Sequence, residues 1–197
     1  MHTPSKPQRR ASFTFRTLWP VLALAGLTAC ASQPSPMPVM VDDSVEAQAN
    51  RQLIERFYTA FQQRDAETMA ASYAPDAHFS DPAFTSLNGD EVGDMWRMLT
   101  AKAQDFSLRY DGVKADAYNG EAHWVATYTF SLTGRKVVND IHARFTFKNG
   151  KIQTHTDSFD MWRWSSQALG LKGQLLGWTP LVSHAIHKKA SAGLRSE

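Results

Sequence analysis

His155 and Asp157 stand two residues apart in an alternating run, so their side chains share one strand face. An imidazole beside a carboxylate can act as an acid–base pair, hold a polar headgroup, or close a hydrogen-bonded pair inside a core. Phe159 continues the same face. Asp81 precedes Pro82, a place that suits a turn residue and equally a pocket carboxylate. Trp96, Trp124 and Tyr128 can wall a core or cavity or stack on a ligand, Tyr58 is a further ligand-facing candidate, and Asn139 interrupts an otherwise apolar face. His78 and His123 are isolated in sequence, and no zinc motif, nucleotide loop or serine-nucleophile motif is present. The expected chemistry therefore uses neither a metal nor a redox cofactor.

These side chains need a scaffold, and periodicity supplies one. Asp43 or Ser44 can cap a helix with Leu53, Ile54, Phe57, Tyr58 and Phe61 at helical spacing. A shorter helix with Met69, Ala70 and Tyr73 should end before Pro75. Ala77–Asp81 reads as a short strand stopped by Pro82, and Asp90 opens a third helix with Val92, Met95, Trp96, Leu99 and Ala103 on one face. Four alternating runs follow, Phe106–Tyr118, Glu121–Leu132, Val137–Lys148 and Lys151–Trp162, parted by Asn119-Gly120, Thr133-Gly134 and Asn149-Gly150. The expectation is an α+β domain of three helices on a curved antiparallel four-stranded meander, with a partly open apolar cavity.

The chain has 197 residues, enough for one well-buried domain. Its formal charge of +2 arises at the N-terminus, because Lys6, Arg9, Arg10 and Arg16 precede Cys30 and no acidic residue does. Without residues 1–29 the chain has 17 basic against 19 acidic residues, which disfavours an ordinary basic nucleic-acid binder. Those four cations and the apolar run Leu18–Leu27 form a secretory signal. Ten helical residues span about 15 Å, half a bilayer core. Leu27-Thr28-Ala29-Cys30 looks like a bacterial lipobox, with the single Cys as lipid-bearing residue. That lone Cys also excludes an intrachain disulfide. Ala31 after it resembles the outer-membrane sorting pattern, so a protein of the cell envelope, facing the periplasm, is expected.

The order of two helices, a strand ending in Asp-Pro, a third helix and a meander resembles the SnoaL-like branch of the nuclear transport factor two-like superfamily. Its marks here are Ile54-Glu55-Arg56-Phe57-Tyr58, Arg64-Asp65, Ala77-His78-Phe79-Ser80-Asp81-Pro82, Gly134-Arg135, and Asn149-Gly150-Lys151-Ile152 leading to His155-x-Asp157-x-Phe159-Asp160. The resemblance implies a cone-shaped fold over about residues 46–163 that hosts isomerases, hydrolases, cyclases and inert binding domains. Asp81 matches the isomerases' proton-shuttling carboxylate, and Asp157 matches the last-strand carboxylate of the epoxide hydrolases and several cyclases. The isomerases' oxyanion tyrosine falls on Phe57, with Tyr58 about 100° further round the helix. Their second donor falls on Ala143, and the epoxide hydrolases' Arg and second Asp find no counterpart in Glu121–Leu132.

Four segments result: a signal over 1–29, the lipidated Cys with a Pro/Ser-rich tether over 30–43, the SnoaL-like domain over 44–163, and a basic tail over 164–197. In the tail, the Gly-rich stretch Leu169–Trp178 reads as a loop, and Leu181, Val182, Ala185 and Ile186 as the apolar stripe of a helix docked on the domain or on a second subunit, with membrane-surface contact and partner recognition as the alternatives. Two function classes fit: a cofactor-free isomerase, cyclase or hydrolase using Asp81 or Asp157 with His155, and a non-catalytic binding or assembly module. Both take a small, mostly apolar molecule and form a sheet-mediated homodimer. Cys30→Ser should abolish fatty-acid incorporation in metabolic labelling; equal label on the variant would overturn the anchor.

Overall fold

Ser44 supplies the first cap: its Oγ accepts from the Ala47 amide at 3.1 Å and opens α1, Val45–Gln63. The computed structural model describes residues 42–102 and 104–194; the expectations on residues 1–41, Cys30 among them, and on Ala103 lie outside these. Arg64, at φ 58°, ends α1, and Asp65 caps α2, Ala66–Ala71. Then come β1 (Tyr73–Ser80), β2 (Leu87–Asn88), α3 (Asp90–Lys102), β3 (Gln104–Ala115), β4 (Asn119–Phe130), β5 (Arg135–Lys148) and β6 (Lys151–Ser158).

The expected meander is present as β3–β6, but the sheet is larger. Six strands run in the order β2-β1-β6-β5-β4-β3, with β1 parallel to β6. Tyr73, expected at the end of the second helix, instead starts β1 opposite Ile152, because Pro75 cannot continue a helix and holds the residue before it extended. Pro75 also falls where the β1–β6 register slips, between Tyr73 and His78. Asn149 and Gly150, at φ 53° and 70°, form the tight turn their types demand. Asn119-Gly120 does not: both residues lie inside β4, and Asp116 makes the preceding turn by accepting from the Tyr118 and Asn119 amides. Gly120 is needed for closeness, since a Cβ there would stand 2.8 Å from Ile54 Cδ1.

The inner sheet face carries Trp124, Ala126, Val137, Ile141, Ala143 and Phe145, all buried, and α1 and α3 cover it with Leu53, Ile54, Phe57, Tyr58, Phe61, Met95 and Trp96. Asn50 ties α1 to the β3–β4 turn through Nδ2 bonds to the Asp116 and Ala117 carbonyls at 3.0 and 3.1 Å.

Beyond β6 the tail differs from expectation. Asp160 Oδ1 accepts from the Arg163 amide and caps α4, Met161–Leu169, so the last strand stops at Ser158 rather than Trp162. The Gly-rich stretch is helical too, as α5, Leu171–Leu176. Its glycines serve packing, because a Cβ on Gly173 would stand 1.9 Å from the Ser165 carbonyl oxygen and one on Gly177 2.0 Å from Ser165 Oγ. Helix α6, Pro180–Leu194, has no buried residue; Ala190 and Leu194 touch the core, while Leu181 is 77% exposed and Ala185 is exposed. The expected docking of the Leu181–Ile186 stripe holds only in part: Val182 and Ile186 are half-buried while Leu181 and Ala185 face outward, and near the C-terminal end of α6 a Cβ on Gly193 would approach Met98 Sδ to 3.1 Å.

Gly173→Ala should push α5 off α4 at a local cost of about 1–3 kcal/mol. Hydrogen exchange should quicken over residues 171–177 and stay unchanged in β4 and β5; uniform exchange would refute the close approach.

Candidate functional site

Parallel pairing of β1 with β6 sets Phe79 beside His155, and antiparallel pairing sets Phe145 on its other side. His155 is fully buried, with ring centroids of Phe145 at 4.3 Å, Phe79 at 5.1 Å and Phe57 at 5.6 Å. A buried imidazole needs partners on both nitrogens. Nδ1 lies 2.6 Å from Tyr73 Oη, and Nε2 lies 3.1 Å from Asp157 Oδ1. Trp96 Nε1 donates to Tyr73 Oη at 3.0 Å. An ionised Asp157 only accepts, so with a neutral imidazole Nε2–H goes to Asp157 and Nδ1 accepts the Tyr73 hydroxyl proton. Trp124 Nε1 donates to the same Asp157 oxygen at 3.2 Å. Trp96, Tyr73, His155, Asp157 and Trp124 thus form one continuous chain of hydrogen bonds inside the aromatic core.

Asp81 follows β1 directly. It is a turn residue: Oδ1 accepts from the amides of Ala83, at 2.6 Å, and Phe84. It also belongs to the site, because burial pushes its carboxyl up to about 7, the Asp157 charge adds to the rise, and the two backbone bonds oppose it. Burial likewise raises Tyr58 and Tyr73 well above the ordinary phenol value, with Asp157 contributing to both. Tyr128 is raised by burial, with Asp81 contributing. The two carboxylates and three phenols therefore act on one another across one interior region. Among the described residues, Tyr58 Oη and Gln153 Oε1 are the buried side-chain atoms left without a hydrogen-bond partner. Tyr58 stacks on Tyr110 at 5.1 Å.

The rim is half-buried. Trp164 of α4 donates to Tyr128 Oη at 2.8 Å and meets Phe130 edge-on at 5.4 Å. Asn139 lies on the same inner face opposite Ala126, and Phe159 packs against the core just past β6. The site thus collects Asp81, Asp157, His155, Tyr58, Trp96, Trp124 and Tyr128. Asn139 and Phe159 stay peripheral, with no contact to either carboxylate seen among the described residues. The roles of Tyr73 and Trp164 escape sequence reading, since the apolar spacing put Tyr73 on the second helix and Trp164 in the tail.

The expected open apolar cavity is not what surrounds His155, where rings pack closely. Two hollows lie elsewhere, one of about 310 Å³ on the outer face of β3–β5 and one of about 370 Å³ beside α2, α3 and β1. On that outer face His142 and Arg144 are exposed, as their strand parity implies. His123 was read as isolated, yet its Nδ1 lies 3.0 Å from Asp111 and its Nε2 2.8 Å from Asp140. His123, Asp140 and His142 each bring one potential metal ligand within 4.8 Å of the others. Both carboxylates raise the His123 imidazole above its usual value, Asp140 more than Asp111. His78 bonds Asn88 at 2.7 Å on the β1–β2 edge.

Comparison with solved structures finds this architecture repeatedly. An LEH-like epoxide hydrolase of M. tuberculosis aligns with a TM-score of 0.53 at 20% identity, over 70% of this chain and 97% of that one. TerC co-crystallised with polyporic acid gives 0.54 at 18%, over 62% and 99%. A protein of Catenulispora acidiphila with a ketosteroid isomerase-like fold, in complex with trimethylamine, gives 0.55 at 13%, over 66% and 98%. At such identities the likeness is one of fold. No curated protein matches the sequence. Residues 54–155 match the SnoaL-like domain, and with three helices on a curved, unclosed sheet the chain belongs to that family.

Proposed function

We propose that the domain performs cofactor-independent acid–base chemistry, an isomerisation, cyclisation or hydrolysis, on a small and mostly apolar molecule. The protein is held at the cell envelope by lipid on Cys30. The catalytic reading rests on the contrast between two carboxylates: burial brings Asp81 to about 7, with the Asp157 charge adding to the rise, while Asp157 Oδ1 is fixed by His155 and Trp124. Unequal environments for two neighbouring carboxylates separate a proton carrier from a fixed charge. Asp81 takes or returns the proton, His155 and Tyr73 hold Asp157 in place, and the Tyr58 hydroxyl donates to negative charge developing on a substrate oxygen. Trp164, Tyr128, Phe130 and Phe159 offer the apolar body of the substrate aromatic contact at the rim, beside Asn139. The names of the related structures, an epoxide hydrolase and proteins bound to polyporic acid and trimethylamine, support a small organic ligand. Phe57 and Ala143, at the oxyanion-donor positions of steroid isomerases, speak against that particular reaction.

The competing reading, a binding or assembly module, is favoured by the rings that fill the interior around His155. Two measurements decide between them. In a ¹³C NMR titration of the folded protein Asp81 should show a midpoint near 7, and one below about 5 would remove the proton carrier. Native mass spectrometry of protein from its source membrane should find a small molecule retained more fully by Asp81→Asn than by wild type, since binding persists without turnover. Equal retention would favour the binding module.

A raised carboxyl binds its proton more tightly in the folded chain than in the unfolded one. Stability should therefore fall as pH rises from about 4 to about 7 and level off above. The rise from 3.8 to about 7 corresponds to at most about 4 kcal/mol, reduced because the side chain is only half-buried. Asp81→Asn should flatten that slope in melts across the window; an unchanged slope would show that Asp81 titrates normally. Asp157→Asn, which keeps shape but loses charge, should cost under about 1.5 kcal/mol while altering ligand retention. A large melting shift with unaltered ligand content would make the pair purely structural.

A further inference from the structure

Leu171, Leu175, Leu176, Trp178 and Leu181 are each more than half exposed, in a stretch of eleven residues from α5 into α6. Leu171, Leu175 and Trp178 recur at helical spacing on the side of α5 away from Gly173, the glycine pressed on Ser165. The packing that seats α5 on α4 therefore turns these large apolar side chains outward. Trp178 Nε1 donates to the Leu175 carbonyl at 3.1 Å, so the ring's polar atom is already paired within the chain and the ring can leave water without orphaning it.

The charges of the segment that carries this patch have one sign. Residues 161–194 contain Arg163, Lys172, Lys188 and Lys189, all exposed, and no Asp or Glu. Residues 30–160 contain 18 acidic against 12 basic residues. On α6, Leu181, Ala185 and Lys188 follow one exposed stripe, with Lys189 beside it. Among the described residues no helix is long and apolar enough to cross a membrane.

We propose that Leu171–Lys189 is a membrane-surface docking element. Trp178, Leu175 and Leu181 seat at the acyl boundary of an anionic leaflet, and Lys172, Lys188 and Lys189 lie among its headgroups. An apolar patch on a segment whose charges are all cationic fits an anionic lipid surface, and the net-negative body is turned away from it by the same field. A second copy of this chain would set the cations of one tail against those of the other. The assignment differs from a lipid anchor at Cys30.

The test uses the full chain on vesicles of phosphatidylethanolamine and phosphatidylglycerol carrying bromine-labelled acyl chains, with Trp178 emission read as the difference from Trp178→Phe. Bromine should quench the Trp178 component. Quenching should be lost in Leu175→Asp/Leu181→Asp, and lost in Lys172→Glu/Lys188→Glu/Lys189→Glu or when phosphatidylcholine replaces the anionic lipid. Circular dichroism and the Asp81 titration should be unchanged in these variants, which shows that they fold. Unquenched Trp178 in vesicle-bound protein would overturn the proposal, as would Trp178 shielded from iodide in a dimer without vesicles. An Asp81 midpoint below 5 would sink the catalytic reading and leave this quenching untouched.

Discussion

A carboxylate and an imidazole sit at the centre of an aromatic core, and the surrounding fold must satisfy them. Asp157 is 4% exposed, and an unpaired charge there would cost several kcal/mol. Its donors come from separate elements: Trp124 from β4 directly, and His155 from β6, itself held by Tyr73 of β1, which Trp96 of α3 supports. Losing any one strand position would orphan the next group along. The parallel β1–β6 pairing is thus a requirement of this core, because it puts Tyr73 within reach of the imidazole.

The two carboxylates then differ by construction. Asp157 receives side-chain donors on a regular strand, whereas Asp81 sits just past a strand end and receives two amides from its own turn. Two backbone bonds would ordinarily hold an aspartate low, yet Asp81 rises to about 7, so burial and the neighbouring negative charge outweigh them. The amides that fix the turn also hold one oxygen of the Asp81 carboxyl in place.

Where burial alternates, the sequence was legible. His155, Asp157 and Trp124 could be placed on the inner face by counting in twos, and Phe57, Tyr58 and Trp96 on the inner faces of helices by counting in threes and fours. Partners distant in sequence were not legible, since nothing local ties Tyr73 to a histidine 82 positions on. Glycine misled twice for one reason. Gly120 looks like half of a hairpin turn and Gly173 like part of a loop, but both are there because another part of the chain comes too close for a side chain. A sequence shows that a side chain is missing without showing what fills its place. The α4 helix was hidden by Phe159 and Met161, whose spacing extends the strand alternation past Asp160, the residue that caps the helix.

Helix α4 joins what the sequence divides into domain and tail. Gln167 uses its side-chain amide as a strand would, accepting from the Val138 amide at 2.8 Å and donating to the Val138 carbonyl at 3.0 Å, while Arg135 and Thr133 bond its last carbonyls. Trp164 reaches from the same helix to Tyr128, and Ser165 receives Gly173 and Gly177 of α5. One face of α4 therefore builds the rim of the interior site, and its Ser165 side sets where the exposed apolar residues of α5 point. A domain boundary near residue 163 would cut through this helix. Helix α4 is packed on β5 through these bonds, and Gly170, at a φ of 62°, then turns the chain into α5.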